Sequence, residues 1–490
     1  MKNFESYFIE NEIIRQICKM RVKIAKNRNK QHLLHLLTSD SNYNYHLENK
    51  KDGLNEFEEY QEDLKKQLTE ILPPRRKWVK IGQNSRVKNE SNNEFLTSND
   101  KNFYSLLKTI KKHRQHNSKE VWFLKLQVFI KDVKSSALST SYTVNEPLIF
   151  PKLKKPLKKI FQDKSEKNNC RPLSMYSLKD RIILSQTNKF LTFILDDEFQ
   201  ASSYAFRSKK INNRTISHHN CIRDILSYKK DKSVKELFVV ECDMKGFYDT
   251  VNHKIILKAF NKLSANIKSL HPSLNLEQSS QIFKSFLNSY AFNVNVKNHD
   301  KPTYWENYNI LRGSFPWVDN QIHEHYTSIE DERIGIPQGG ALSGLIANIY
   351  LNDVDKKLEK SPVLYIRFCD DMIIIHEDFQ TCRVAKKEYV DSLNKLKLFP
   401  HKFKKTKDLF NSENRKIKYK KFWEGKSKGP FRWSNSFKDY HFPWITFVGY
   451  EINFKGDIRV RKRSFLKEQT KQKIIVNEIR KAITNNQRCK

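Results

Sequence analysis

Residues 368–376 read FCDDMIIIH and set two adjacent carboxylates, Asp370 and Asp371, between the apolar runs VLYI and MIII. Like charges side by side repel unless solvent screens them or a cation sits between them. One reading is a solvated hairpin turn, since aspartate suits turns. The other is metal-ion chemistry. Phosphoryl transfer by two metal ions needs carboxylates on rigid elements that hold the ions about 3.5–4 Å apart. Asp243, which closes the apolar run LFVV, offers a third carboxylate. Such an oxygen donor set favours two Mg²⁺ ions over zinc, with Mn²⁺ as the alternative ion.

A second feature lies close by. The chain has only 12 glycines, and Gly335, Gly339, Gly340 and Gly344 all fall within GIPQGGALSG. Glycine concentrated in this way marks backbone with unusual dihedrals or a close approach by another molecule. Gly-rich loops ahead of a helix often meet phosphates. The competing reading is an ordinary flexible loop, which the flanking Ile336, Pro337 and Leu342 argue against.

These residues need elements to position them. LFVVECDM (237–244) reads as a buried strand, and HKIILKAFNKL (253–263) as an amphipathic helix. ALSGLIANIYLNDVDKKLEK (341–360) is a helix ended before Pro362, and VLYIRFCDDMIIIH is strand, turn and strand. ITFVGYEINFKGDIRVR (445–461) is a further hairpin turning at Lys455-Gly456-Asp457, and a basic helix at roughly 464–484 closes the pattern. This order predicts an α+β fold with a mostly antiparallel sheet. Upstream, residues 1 to about 135 look helical and polar. LNEFEEYQEDLKKQLTEIL (54–72) spaces Leu64, Leu68 and Leu72 for a helix that PP at 73–74 stops, and 83–102 reads as a polar loop.

The chain carries 91 Lys+Arg against 55 Asp+Glu, a formal net charge of +36. Nucleic acid is the partner such a field selects most readily. No run of about 18 apolar residues predicts a spanning helix, and the N-terminus lacks the apolar region of a signal peptide. A membrane partner is therefore not expected. The seven cysteines include no C-x-x-C pair, which argues against a zinc site or a disulfide framework and fits a reducing compartment.

ECDMKGFYDTVNH (241–253), GIPQGGALSGLIANIYL (335–351), YIRFCDD (365–371) and FVGY (447–450), in this order, resemble the reverse transcriptases of bacteria and group II introns. RPLSMYSLKDRII (171–183) and SYAFR (203–207) resemble that family's finger-side motifs, and the resemblance covers about residues 145–484. It implies a right-hand polymerase: a helical, basic extension at 1–144, fingers at 145–235, a palm at 236–455 with inserted helices at 254–334, and a reduced helical thumb at 456–490.

The resemblance assigns roles residue by residue. Asp243, Asp370 and Asp371 become the catalytic metal ligands. Tyr248, beside Phe247, falls at the aromatic gate beneath the sugar of an incoming dNTP. Gln338 and Gly339 line the nascent base pair. Arg171 clamps the triphosphate, Lys164 is a phosphate lysine, and Lys405 in FKKTK matches the lysine that protonates pyrophosphate. Asp249 reads as structural, capping the helix that begins near Asn252.

Cys369 and Ala205 depart from common family residues, and Cys369, beside two carboxylates, is not expected to be a nucleophile. A thumb of one basic helix (463–483) departs further from the intron enzymes. It is more similar to solo bacterial reverse transcriptases of the defence-associated or "unknown group" kind. The implied activity is RNA-directed DNA synthesis in the bacterial cytoplasm, with an RNA template or a dedicated non-coding RNA, a DNA product, and a role in anti-phage defence. A homo-oligomer is compatible with it. Untemplated or protein-primed synthesis by the same site, and a catalytically idle RNA-binding scaffold, are the alternatives.

Overall fold

Short polar motifs start two of the helices that lead the chain. The computed structural model describes residues 2–38, 55–82, 96–154, 167–211, 214–297, 301–308, 310–405, 422–435 and 441–485. Among these, residues 2–142, 176–186 and the C-terminal segment from 466 cluster into one unit, and 143–175 with 187–465 into another.

The first unit is helical. Its helices are α1 (Glu10–Thr38), α2 (Glu56–Glu70), α3 (Ser98–Gln115) and α4 (Val121–Leu138). Asn55 caps α2: its side chain accepts from Glu58 N–H at 3.0 Å while its own N–H donates to the Glu58 carboxylate at 3.2 Å. Thr97 and Asp100 repeat this reciprocal arrangement at the start of α3. That capping box overrides the expected loop at 83–102: the chain is helical from Ser98, and 83–95 lie outside the described residues. Leu68, Leu106, Ile110, Trp122, Leu126 and Val133 are buried in this unit.

The second unit holds the sheets. Its first elements are the antiparallel strands β1 (Leu148–Leu153) and β2 (Asn168–Met175), which pair Lys152 with Arg171. Helix α5 (Leu178–Leu195), the ribbon β3 (Lys210–Ile211) and β4 (Arg214–Thr215), and α6 (His218–Lys232) precede the central strand β5 (Glu236–Cys242). Then come α7 (Phe247–Thr250), α8 (His253–Leu270), α9 (Glu277–Asn288), α10 (Pro302–Asn307) and β6 (Gly313–Ser314). Helix α11 (Ser343–Leu358) leads to the hairpin β7 (Leu364–Phe368) and β8 (Asp371–His376). The chain continues through α12 (Phe379–Lys395), β9 (Phe403–Lys404), β10 (Ser427–Ser434), β11 (His441–Phe442), β12 (Trp444–Phe447), β13 (Tyr450–Asn453), β14 (Ile458–Val460) and the basic α13 (Lys462–Asn485), which from residue 466 is counted with the first unit.

The main sheet runs β11-β10-β5-β8-β7, with β9 also paired to β10. The long pairings are antiparallel, and only the two-residue strands β9 and β11 join β10 in parallel. Both faces of β5 and β8 are covered, so their sequences are unbroken apolar runs rather than alternating ones. Leu237, Val239, Ile373 and Ile375 pack with Phe431, Trp433, Ile445 and Phe447 on one face. Helix α12 packs on the other, where the Cys382 thiol donates to Phe238 O at 3.4 Å. This is the α+β architecture expected from the order of elements.

The sequence predicts one hairpin at 445–461, and the structure has a three-stranded meander, β12-β13-β14. The Lys455-Gly456-Asp457 turn joins β13 to β14, and a second tight turn at Val448-Gly449 joins β12 to β13. Val448 (φ 40°) and Gly449 (φ 89°) are both left-handed, the backbone a two-residue hairpin of this twist requires. Valine rarely takes that conformation, which hid the turn. The six described cysteines, Cys18, Cys170, Cys221, Cys242, Cys369 and Cys382, are buried and unpaired. No described helix is long and apolar enough to cross a membrane.

Candidate active site

Asp243 and the Asp370-Asp371 pair arrive at one end of the main sheet through strand register. β5 pairs with β8 so that Cys242 faces Met372. Continuing that register by one residue sets Asp243 opposite Asp371. The β7–β8 pairing ends at Phe368 opposite Asp371, so the turn consists of Cys369 and Asp370. The expected turn thus moves back by one residue, and Asp371 is the first residue of β8. Cys369 alone in this turn has a left-handed φ, 61°, the pattern of a type II′ turn in which glycine is usual.

That strained turn is anchored from beneath. Arg367 is fully buried; its guanidinium donates to Asp355 at 2.6 and 2.8 Å, to Ser203 Oγ at 2.8 Å and to the carbonyl of Cys369 at 2.8 Å. Tyr365 OH donates to the same Asp355 at 2.8 Å. A charge this deep persists only when paired and hydrogen-bonded. The network lies outside the resemblance-based assignments. Its visible signals were an arginine inside the apolar strand YIRF and an acid on the helix sequence LNDVDKK.

Charge in the site is dominated by acids. Burial, with the Asp243 charge beside it, raises the carboxyl of Asp370 above its ordinary range. Asp371 is pushed up to about 7 by desolvation in the cleft and by Asp370 and Asp243. Its side chain is nonetheless exposed to solvent, so the neighbouring carboxylates are the firmer cause. Lys426 Nζ lies 3.0 Å from Asp243 Oδ2, a cation already drawn to this end of the sheet. Ser427 Oγ accepts the Asp243 N–H at 3.1 Å and holds its backbone. An acid-rich donor set under mutual repulsion fits divalent cations. Among the described residues, no group of three or more His, Cys, Asp or Glu side chains is placed so that it could hold a metal ion.

The remaining assigned residues fall into two groups. Tyr248 OH meets Cys369 Sγ at 3.1 Å, so its ring stands across the turn that carries Asp370. Burial, with Cys369 beside it, raises its hydroxyl well above the ordinary value. Phe247 is buried and meets Tyr248 edge to face at 5.4 Å, which makes it a support for that ring rather than a surface of its own. Gln338 Nε2 donates to Asp249 Oδ1 at 2.7 Å, and its carbonyl accepts from Ser174 N–H on β2 at 2.9 Å. The PQGG loop is thereby tied to the strand carrying Arg171. Asp249 is therefore not the helix cap. Asn252 caps α8 by accepting from Ile255 N–H at 3.1 Å, while Asp249 is buried against Gln338. Burial pushes the Asp249 carboxyl up to about 6, with Gln338, Lys154 and Arg171 opposing.

Gly339 has φ 93°, and a Cβ there would meet only Ser174 O at 3.8 Å, so the space before it is open. Gly335, Gly340 and Gly344 instead pack closely against Phe292, Phe286 and Phe206, so three of the four cluster glycines serve packing. Lys405 lies near Lys386, whose ammonium is pushed down by burial and then by the Lys405 charge, and the lysine on Asp243 is Lys426. Lys164 lies outside the described residues.

Residues 154–420 match the family model described as reverse transcriptase (RNA-dependent DNA polymerase). The chain is 25% identical over 250 residues to the group II intron-encoded protein LtrA of Lactococcus lactis subsp. cremoris, a match covering 51% of this chain and 31% of that protein. It is 23% identical over 206 residues to protein YkfC of Escherichia coli, covering 42% of this chain and 41% of that one. The chain thus spans well under two thirds of the length of either relative. Among solved structures, apo telomerase from Candida tropicalis matches with a TM-score of 0.38 and 14% identity, covering 73% of this chain and 58% of that chain. The same telomerase truncated of its C-terminal domain matches with a TM-score of 0.34 and 13% identity, covering 94% and 96%.

Proposed function

Because this chain belongs to the reverse transcriptase (RNA-dependent DNA polymerase) family, we propose that it extends DNA from dNTPs on an RNA template. The observation that carries this reading is the single constellation of Asp243, Asp370 and Asp371 at one sheet end with the Tyr248 ring across the turn. A nuclease would share the carboxylates but has no need of the ring or of the PQGG loop.

In this reading Asp243, Asp370 and Asp371 hold two Mg²⁺ ions. When bound, these lower the pKa of the primer 3′-hydroxyl and neutralise charge on the phosphates. The chain's own residues do the rest. Tyr248 lies under the sugar and crowds a 2′-hydroxyl, which selects deoxynucleotides. Gln338 and the open space at Gly339 receive the nascent pair. Arg171 offers a planar fork to the triphosphate and Lys164 a point charge, both opposing charge that builds up on the leaving phosphates. Lys405 gives a proton to pyrophosphate. Residues 145–235 act as fingers, 236–455 as palm and 456–490 as part of a thumb.

The finer reading places the enzyme in the bacterial cytoplasm with a dedicated non-coding RNA, serving anti-phage defence. The family match and the +36 charge support an RNA partner, and the defence role rests on the motif resemblance alone. Sequencing the nucleic acid that co-purifies with the protein, before and after dNTP addition, tests it. DNA complementary to a co-purifying RNA is expected. DNA with no complement in that RNA would replace templated with untemplated synthesis. Absence of any new DNA would overturn the polymerase reading.

A further inference from the structure

A cavity of about 330 Å³ opens beside the meander β12-β13-β14, lined by Trp423, Phe442, Trp444, Glu451, Arg459 and Arg461 among others. That volume is at the small end of ligand sites. None of these residues belongs to the carboxylate site, and the assigned motifs use none of them.

Strand register builds one wall. Thr446, Glu451 and Arg459 stand opposite one another across the three strands, so their side chains share a face, while Ile445, Phe447 and Ile452 point into the core. Glu451 holds Arg459 Nε at 2.7 Å and also accepts from the Lys462 N–H at 3.3 Å. The Arg459 guanidinium lies 3.9 Å from the centroid of the Trp444 ring. It is therefore fixed at its edge by a carboxylate and on one face by an indole. The side chain is otherwise exposed, and a guanidinium plane is a surface on which a nucleobase stacks.

Aromatic rings line the cavity as well. Trp423 packs edge-on against Phe442 at 4.9 Å, and both line the cavity. Arg461, two residues along the chain from Arg459, is an exposed lining residue whose backbone N–H donates to Gly449 O at 3.0 Å. Lys462 and Arg463 follow it. A cavity that combines aromatic rings, an exposed guanidinium and neighbouring cations matches a base joined to a phosphate. The cavity is also tied to the catalytic strand: Thr446 N–H donates to the carboxylate of Glu241 at 3.4 Å, two residues before Asp243.

We propose that this cavity is a second nucleotide site. It takes one unpaired nucleotide of a single strand, stacking the base on the Arg459 guanidinium within the aromatic lining and contacting the phosphate through Arg461. It shares with the polymerase reading only the premise that nucleic acid is the partner.

A short single-stranded RNA carrying one 4-thiouridine, photo-crosslinked to the full chain and mapped by mass spectrometry, tests it. Crosslinks are expected in the peptides holding Trp423 or Trp444. Arg459→Lys keeps the charge but loses the plane and should lower crosslink yield at these peptides at least about fivefold. Arg461→Lys should keep most of the yield and Arg461→Ala should lose it, as expected of a phosphate contact. Excess nucleoside monophosphate separates the sources: displacement of the crosslink assigns the site to a free nucleotide, persistence to a nucleotide within a polymer. The crosslink should survive in Asp370→Ala/Asp371→Ala, so its fate is read independently of polymerisation. Crosslinks that map elsewhere, or a yield unchanged in both Arg459→Lys and Arg461→Ala, would overturn the proposal and leave the slot to a peptide side chain.

Discussion

The hydroxyl of Tyr248 and the thiol of Cys369 meet at 3.1 Å, so the ring proposed to select the sugar and the turn that carries Asp370 touch directly. In the proposed reading, sugar selection and metal binding share this contact, and the two parts of the tyrosine can be tested separately.

Tyr248→Phe keeps the ring and loses only the hydroxyl contact. It should retain preference for deoxynucleotides. Tyr248→Ala removes the ring and should lower that preference by about 10–100-fold. Paired incorporation rates for matched dNTP and rNTP measure this. An unchanged ratio in the alanine variant would remove the gate from Tyr248.

Removal of the acids should separate chemistry from folding. In Asp370→Ala/Asp371→Ala, Mg²⁺-dependent dNTP incorporation should disappear. Without metal the variant should melt at or above the parent temperature, because repulsion among the carboxylates is relieved. Adding Mg²⁺ should raise the Tm of the parent and not of the variant. Full incorporation by the variant would sink the metal-site assignment.

The buried Arg367–Asp355 pair should behave as a unit. Arg367→Met leaves Asp355 uncompensated and should cost about 3–5 kcal/mol in urea unfolding. Arg367→Met with Asp355→Leu should recover most of that loss. A single variant within about 1 kcal/mol of the parent would show that the turn is held by other contacts.

Two buried groups should oppose each other in acid. The Asp249 carboxyl is raised to about 6 by burial, so the folded state binds its proton more tightly and stability falls as pH rises from about 4 to about 6. His253, buried with Nε2 2.7 Å from Gly335 O, is lowered to about 4, chiefly by burial. Its contribution is lost as pH falls from about 6.5 to about 4. Asp249→Asn should therefore steepen acid destabilisation relative to the parent, and His253→Gln should lessen it, each by up to about 3 kcal/mol across the window. Denaturant midpoints at about pH 4 and pH 6.5 measure the difference. Equal shifts at both pH values would remove these groups from the pH response.

Much of this site was legible because it is local. An apolar run ending in an acid, a pair of acids between apolar runs and a glycine-dense loop each announce themselves within ten residues. Asp243 and Asp371 proved to be register neighbours because both strands are buried on two faces, which leaves little freedom to slip. Contacts that join distant segments were not legible. Lys426 reaches Asp243 only because β10 pairs with β5, and Arg367 finds Asp355 only when β7 lies against α11. The turn at Val448-Gly449 was hidden by a β-branched residue in a left-handed conformation. Asp249 was misread as a cap because Asn252, three residues on, does that work within its own turn of helix.

The burial of the cysteines has a practical consequence. Desolvation holds the thiols of Cys170, Cys221, Cys242, Cys369 and Cys382 up at about 12, and that of Cys18 higher still, so at neutral pH these six stay protonated beneath the surface. A maleimide dye should pass them by. With Cys489 changed to serine, one new cysteine can then carry the label. Placed at Arg459 it would disturb the slot, whereas at Lys455, exposed on the turn between β13 and β14, it would not. The native chain is thus close to a ready background for placing one fluorophore and following a nucleic-acid strand as it moves.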